Sequence, residues 1–382
     1  MKPVRLERLA KTYQGGTRAV CGVELVIEAG EFVVLLGPSG CGKTTTLRMI
    51  AGLEEPSAGR VRIGDEDVTE LRPRERDIGF VFQFFALYPH LTVRENLAFP
   101  LECSGVRRDE RRRRVGEAAE RLGLGALLEH LPRQLSGGDQ QRVALGRALV
   151  RRPAVWLMDE PLGMLDSGLR LELCEFLRAQ QLEHGVTTVY VTHDQEEAMR
   201  LADRIVVMSA GTILQEGRAA RVYDEPADLV VARFVGSPGM NLIAGEVRAE
   251  SDGARRVHPY PPPTLFGGRA QGPLGDPPGF THSGDSLVVL PRAAAEALRP
   301  GRVTLGIRPE FVALDPTSGL RGRIAVDEYL GSARCLHVDT PVGRWIARVG
   351  PDEPSTRGAE VGLRLDPALV RLFDPESGRR LV

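Results

Sequence analysis

Apolar runs of strand length alternate with stretches of helical periodicity over roughly the first 235 residues, the pattern of an α/β fold. EFVVLLG (31–37) is continuously apolar and predicts a buried strand, and 43–51 continues as a helix. VRIGDEDV (61–68) and DIGFVFQ (77–83) predict further strands. Residues 92–150 carry no strand pattern and predict a helical insert. AVWLMD (154–159) and TTVYVTH (187–193) return to buried strands, with a helix over 165–183 between them.

Beyond Gly236 the pattern changes to short β-like runs separated by Gly and Pro: SLVVLP (286–291), VTLGI (303–307), GRIAVDEYLG (322–331) and RWIARV (344–349). These predict a separate small β domain. The expected division is therefore 1–235 and 236–382. Seven Pro and five Gly crowd into 259–279, which predicts an exposed loop of low order.

Composition narrows the picture only slightly. Hydrophobic residues make up 42% of the 382 and charged residues 26%, ordinary for a globular chain with sizeable cores. A net charge of -1 gives no global attraction to nucleic acid or to an anionic membrane. Cys21, Cys41, Cys103, Cys174 and Cys335 are scattered and odd in number, which argues against a disulfide framework or a zinc site and for a reducing compartment. The N-terminal segment has no apolar stretch like a signal peptide, and the longest aliphatic runs are too short to span a bilayer. Work at a membrane would go through a partner.

Chemistry enters with GPSGCGKT (37–44), which matches GxxxxGK[ST] and sits between a predicted strand and a predicted helix. Gly37, Pro38, Ser39, Gly40, Cys41 and Gly42 can curl so that successive N–H groups face phosphate oxygens, and the helix that begins at Lys43, Thr44 and Thr45 adds its positive end. Lys43 should bridge the β- and γ-phosphates, and the Thr44 hydroxyl should ligate Mg²⁺. AVWLMDE (154–160) is an apolar strand ending in two carboxylates, at the sheet edge where α/β proteins bind ligands. Asp159 would support the Mg²⁺ and Glu160 would polarise the attacking water. An acidic strand end is by itself commonplace; beside a phosphate loop it has a use.

Further along, LSGGDQQRVALGRAL (135–149) resembles the signature motif of ATP-binding cassette ATPases, and other marks of that family stand in order around it. Tyr13 resembles the aromatic that stacks on adenine, Gln83 the glutamine that reaches the metal and the attacking water, Asp166 the aspartate of the D-loop, and His193 the switch histidine near the γ-phosphate. GSPGMN (236–241), LGIRPE (305–310) and EYLG (328–331) resemble the C-terminal extension of carbohydrate-import ATPases of the maltose and glycerol-3-phosphate type. The resemblance covers the whole chain. It implies a P-loop cassette with a parallel-sheet core, an antiparallel β subdomain and a helical subdomain at about 84–150, followed by a small all-β, OB-like domain. It implies ATP and Mg²⁺ as ligands, with Ser136, Gly137 and Gly138 donating to the γ-phosphate held by a second cassette. The partners it implies are that second ATPase subunit, transmembrane permease subunits and an external solute-binding protein. The expected location is peripheral, on the cytoplasmic face of the inner membrane.

Two stretches depart from the family pattern. Asp139 stands where most relatives have Gln, and Gly163 and Met164 stand where Ser-Asn or Ser-Ala is usual. Phe80, Phe82, Phe84, Phe85 and Tyr88 surround Gln83; alternation predicts Phe80 and Phe82 in the core, and leaves Phe84, Phe85 and Tyr88 open between core and permease groove. Arg107, Arg108 and 111–114 form a basic run interleaved with Asp109 and Glu110, which predicts a solvated helix face and no nucleic-acid partner. A nucleic-acid-maintenance cassette fits poorly, because Gln83 and Ser136 are only 53 residues apart and leave no room for a long insertion. Intact Lys43, Asp159, Glu160 and His193 argue against a regulatory cassette without turnover. Within transport, a polyamine, sulfate or iron importer remains the alternative to a sugar importer.

Overall fold

The computed structural model describes residues 1–251, 254–259, 287–291 and 298–381. The chain divides into two units, Met1–Val222 and Tyr223–Val382. The division expected at 235/236 falls later than this, because α8 (Leu229–Phe234) packs within the second unit: Ala232 is buried with Met240 and Phe373.

In chain order the first unit runs β1 (Val4–Thr12), β2 (Arg18–Ile27), β3 (Phe32–Leu36), α1 (Lys43–Ala51), β4 (Ala58–Ile63), β5 (Glu66–Asp67), β6 (Ile78–Val81), α2 (Val93–Cys103), α3 (Arg108–Arg121) and α4 (Gly137–Leu149). It continues with β7 (Val155–Asp159), α5 (Ser167–His184), β8 (Thr187–Thr192), α6 (Gln195–Leu201), β9 (Arg204–Ser209) and β10 (Thr212–Gly217), and α7 (Ala219–Asp224) straddles the boundary.

A six-stranded sheet ordered β10-β9-β3-β8-β7-β6 forms its centre, parallel except where β10 pairs antiparallel with β9. Every residue of β3, β7 and β8 is buried. Strands covered on both faces read as continuous apolar runs, so their sequences showed them plainly. A second sheet, β2-β1-β4-β5, is antiparallel. One apolar core joins the two sheets through α1, with Leu47, Met49 and Ile50 of the helix packed among Leu6, Ile27, Val61, Leu35 and Val191.

The segment expected as one strand at 61–68 is instead a hairpin, turning at Gly64 with a positive φ between β4 and β5. β6 ends at Val81, so Gln83 lies beyond the strand. Phe80 is partly buried against the core, but Phe82 is 39% exposed, which corrects its expected place inside.

Helices α2, α3 and α4 share an apolar core of Val93, Leu97, Leu101, Val115, Leu122 and Val143. Gly146 lets α4 approach, because a Cβ there would come within 2.7 Å of Leu97 and 2.8 Å of Leu122. The basic run lies on α3, where Arg113 and Arg114 both pair with Glu110 and Arg113 also reaches Glu117. Hydrogen bonds from Arg113 and then Arg114 draw the Glu110 carboxyl down to about 2.

Among the described residues the second unit holds two antiparallel five-stranded sheets. One is ordered β13-β12-β11-β14-β20, from β11 (Asn241–Ala249), β12 (Arg255–Pro259), β13 (Val288–Val289), β14 (Gly301–Ile307) and β20 (Arg371–Phe373). The other is β15-β19-β16-β17-β18, from β15 (Val312–Leu314), β16 (Arg321–Tyr329), β17 (Arg334–Thr340), β18 (Gly343–Val349) and β19 (Glu360–Leu365). Their apolar faces meet around the buried Trp345, Leu305, Ile324 and Leu372. The Asn241 amide links the sheets by donating to the Ile346 carbonyl (2.9 Å) and accepting from its N–H (2.7 Å). Arg308, from LGIRPE, is buried and donates to the carbonyls of Tyr223, Ala232 and Val235, with its guanidinium 4.1 Å from the centroid of the Tyr223 ring. Most of 259–279 lies outside the described residues.

Candidate functional site

The C-terminal ends of β3, β6, β7 and β8 lie along one edge of the central sheet, and each delivers one part of the site. Residues 37–44 turn from β3 into α1. Gly42 caps the helix with φ 104°, and a Cβ on it would collide with the Ala19 backbone oxygen. Gly37 is held equally tightly by the Met208 carbonyl. The glycines are thus required both by dihedral and by close backbone approach.

Lys43 is 5% exposed, and its ammonium donates to the loop's own carbonyls at Gly37 (2.7 Å) and Pro38 (3.0 Å), with Cys41 Sγ at 3.8 Å. Next along the helix, Thr44 Oγ1 donates to Asp159 Oδ1 at 2.8 Å. Asp159 is buried at the end of β7; burial raises its pKa, and the neighbouring Glu160 carboxylate pushes the same way.

Glu160 follows with a positive φ of 43°, its N–H held by the Val191 carbonyl of β8 at 2.9 Å. A non-glycine residue in this region is uncommon and strained. The turn aims the carboxylate back along the sheet edge. Its Oε2 accepts from Gln83 Nε2 at 3.2 Å and lies 3.1 Å from His193 Nδ1. One carboxylate oxygen, delivered by the end of β7, therefore gathers groups delivered by two other strand ends, β6 and β8.

Tyr13 follows β1, with an exposed ring; its hydroxyl lies 3.4 Å from Thr45 Oγ1, and Lys11 Nζ is 5.3 Å from the ring centroid. The remaining expected residues form a separate group. Ser136 is the N-cap of α4, ahead of Gly137 and Gly138, and Asp166 is the N-cap of α5. Gly138 faces Leu169 of α5 so closely that a Cβ would come within 2.6 Å of it. Neither Ser136 nor Asp166 hydrogen-bonds to the phosphate loop among the described residues.

Around Asp139 the geometry is specific. Ser136 Oγ donates to Asp139 Oδ2 at 2.7 Å while accepting from the Asp139 N–H at 3.1 Å, and Arg142 pairs with Asp139 Oδ1. Burial raises the Asp139 pKa, but Ser136 and Arg142 outweigh it, so the carboxyl stays below its usual range.

Two residues that the sequence reading passed over shape the loop after Gln83. Asn96, fully buried on α2, accepts from the Tyr88 N–H and donates to the carbonyls of Tyr88, Leu91 and Thr92. Arg147 on α4 donates to the Ala86 carbonyl (2.7 Å), its guanidinium 5.3 Å from the Tyr88 ring centroid. Both are polar residues within otherwise apolar helix faces, the signal that would have found them. On this braced loop Phe84 is 66% exposed, Tyr88 partly exposed and Phe85 half-buried.

The donor set can be tested against Mg²⁺. Among the described residues no three His, Cys, Asp or Glu side chains cluster as a protein-only metal site. A hydroxyl and one buried carboxylate, 2.8 Å apart beside a phosphate loop, fit an ion that takes hard oxygens and draws its other ligands from phosphate and water.

A strand, a glycine-built phosphate loop capping a helix, and a parallel strand one place removed in the sheet that leads into two carboxylates define a P-loop nucleoside triphosphatase. The ABC transporter family model matches residues 20–163, and a TOBE domain model matches 305–373. The chain is 41% identical to the sn-glycerol-3-phosphate import ATP-binding protein UgpC 2 of Agrobacterium fabrum, over all of this chain and 95% of that protein. It is 42% identical to the trehalose/maltose import ATP-binding protein MalK of Thermococcus litoralis, over the full length of both. Among solved structures, the dimeric ATP-binding cassette MJ0796, in a post-hydrolysis state with ADP and Pi, is 38% identical with a TM-score of 0.53, over 56% of this chain and 98% of that one. The chain belongs to the ABC transporter family, with the ATP-binding subunits of carbohydrate importers as its relatives.

Proposed function

We propose that this protein hydrolyses ATP with Mg²⁺, as one of a pair of identical cassettes, to energise import of a sugar or polyol derivative through a membrane permease. The observation that carries the catalytic part is the Glu160 carboxylate, held by its strained turn between Gln83 and His193 and next to the Thr44–Asp159 pair.

Phosphoryl transfer asks a protein mainly for positioning and charge stabilisation. Lys43, already among the loop carbonyls, needs only a short movement to exchange Gly37 and Pro38 for β- and γ-phosphate oxygens. The N–H groups of residues 37–44 and the N-terminus of α1 hold the same phosphates. Thr44 Oγ1 and Asp159 would hold the Mg²⁺, together with Gln83, and the ion when bound neutralises charge on the phosphates. Glu160 accepts a hydrogen bond from the attacking water and orients it in line with the leaving group. His193 and Gln83 fix that carboxylate and release it when the γ-phosphate arrives. Tyr13 stacks on the adenine.

Ser136, Gly137 and Gly138 complete the site of the second copy, beside its Asp166. A charged hydrogen bond contributes about 1.5–3 kcal/mol and inverting a 1:99 equilibrium takes about 5.5 kcal/mol, so a few contacts at two sites suffice to close the dimer. Loss of the γ-phosphate reverses the closure. The dimeric relative with ADP and Pi supports this cycle.

Among the described residues no helix is long and apolar enough to cross a membrane, so membrane attachment goes through the permease. Phe84, Phe85 and Tyr88 are the contact surface in this reading, at the cytoplasmic face. An external solute-binding protein delivers the solute, and the second unit, Tyr223–Val382, is the regulatory domain. Relatives named for glycerol-3-phosphate and for trehalose and maltose support a sugar or polyol cargo. Uptake by the protein with its cognate permeases tests this: labelled maltodextrins or glycerol phosphates should enter in an ATP-dependent way. Uptake of polyamines alone would overturn the solute class.

A further inference from the structure

Between the loop that carries Asp166 and the turn that carries His193 lies a charged cluster that the mechanism above does not use. Arg170 stands in the first turn of α5, its N–H bonded to the Asp166 carbonyl. Its guanidinium forks in two directions. Nη2 donates to the Leu165 carbonyl at 2.9 Å, within the loop that carries Asp166. Nη1 donates to Asp194 Oδ2 at 2.9 Å, on the residue that follows His193.

Asp194 is itself anchored. It caps α6 by accepting from the N–H groups of Glu196 and Glu197, and its own N–H is held by Thr192 Oγ1 at 2.9 Å. Behind it, Glu197 is buried and accepts from the Tyr190 hydroxyl at 2.7 Å. Burial raises the pKa of both, and the two groups hold each other. Among the described residues Arg170 Nε is buried without a hydrogen-bond partner, and it lies 3.7 Å from Glu197 Oε1. An unmade bond this close to an acceptor costs free energy. A small shift of the guanidinium would make it.

We propose that Arg170 is a positioning residue that ties the loop carrying Asp166 to the turn carrying His193, so that movement of one carries the other. The two loops have no other direct hydrogen bond among those described between residues 163–167 and 192–194. Lysine reproduces this fork poorly, because its donors all sit on one compact nitrogen, whereas the guanidinium sends two separate nitrogens, Nη1 and Nη2, to Asp194 and to the Leu165 carbonyl. The inference rests on the proposed hydrolytic role of Glu160 and His193 for its kinetic consequence, but not for the linkage itself.

Deuterium exchange of the full-length, nucleotide-free protein tests the linkage directly, with ATP turnover measured on the same samples. Arg170→Met should speed exchange in peptides over 163–167 and 192–197 together. In turnover it should lower kcat about 10- to 100-fold with KM for ATP within about twofold, the pattern of lost positioning and not of lost binding. Asp194→Asn, which keeps the helix cap, should give a milder version of both effects, and the double variant should be no worse than Arg170→Met. Arg170→Lys should rescue thermal stability and not kcat. Faster exchange confined to α5, or additive losses in the double variant, would overturn the proposal. Absence of ATP turnover in the parent protein would instead contradict the ATPase reading and leave the exchange result to decide the linkage.

Discussion

Replacing Asp139 by asparagine preserves the side chain's size and removes its charge. In the structure the Ser136 hydroxyl donates a hydrogen bond to Asp139 Oδ2 at 2.7 Å. In the proposed dimer the same hydroxyl must instead donate to a γ-phosphate oxygen, so the carboxylate competes with ATP for that hydrogen bond. A hydrogen bond to a charged group contributes about 1.5–3 kcal/mol and one between neutral groups about 0.5–1.5 kcal/mol. The variant thus releases the hydroxyl for about 1 kcal/mol less, roughly a fivefold change in an equilibrium constant. Arg142, which now neutralises Asp139, would also be freed to attract the polyphosphate. In a steady-state ATPase assay the KM for ATP should fall about fivefold at low salt, with kcat little changed. The gain should shrink as salt shortens the screening length from about 10 Å at 0.1 M to about 3 Å at 1 M. A KM that is unchanged or higher at low salt would refute the reasoning.

Other substitutions probe the remaining parts. Gly42→Ala forces a Cβ onto the Ala19 carbonyl at a positive φ, and should cost about 2 kcal/mol or more in a denaturant melt and remove nucleotide binding. Asp159→Asn should raise the melting temperature at pH 7 while abolishing turnover: folding raises this carboxyl's pKa, so its charge destabilises the native state above that pKa. The difference should narrow as pH falls through the native pKa, and a variant less stable than the parent at pH 7 would be against it. Phe84→Glu, at a side chain two-thirds exposed, should leave the subunit folded and its own ATPase within about twofold, but should cut co-purification with the permease and stop uptake. Normal uptake by this variant would remove Phe84 from the contact.

Legibility in the sequence followed burial on both faces. Strands β3, β7 and β8 are wholly buried, so no polar alternation interrupts them, and the motifs at their ends could be placed on the sheet edge. The antiparallel sheet was expected only from family resemblance, because a bulge disrupts the alternation of β1 where Arg8 takes a positive φ and the register shifts between Leu6 and Leu9. Phe82 misled for a related reason: it continues the apolar alternation past the point where pairing with β7 stops at Val81. The supports of the site were hidden more deeply. Asn96 and Arg170 hold carbonyls five residues away and Arg147 one 61 residues away, and a carbonyl carries no side-chain identity, so a polar residue on an apolar helix face marks the position but not the partner. Arg308 belongs to the same class, since its place in LGIRPE marks the family and its three carbonyl partners lie more than 70 residues away.

The central claim is that Glu160 makes this protein an ATPase, and one paired measurement tests it most directly. Steady-state hydrolysis and equilibrium binding of ATP are measured with Mg²⁺ on the parent and on Glu160→Gln. The amide keeps the size of the side chain and its contacts with Gln83 and His193, but cannot take up a proton from water. Hydrolysis should fall by about 10² to 10⁴, the usual contribution of a positioned acid–base group, while ATP binding persists and an ATP-bound dimer accumulates. A variant that hydrolyses ATP at the parent's rate would contradict the account.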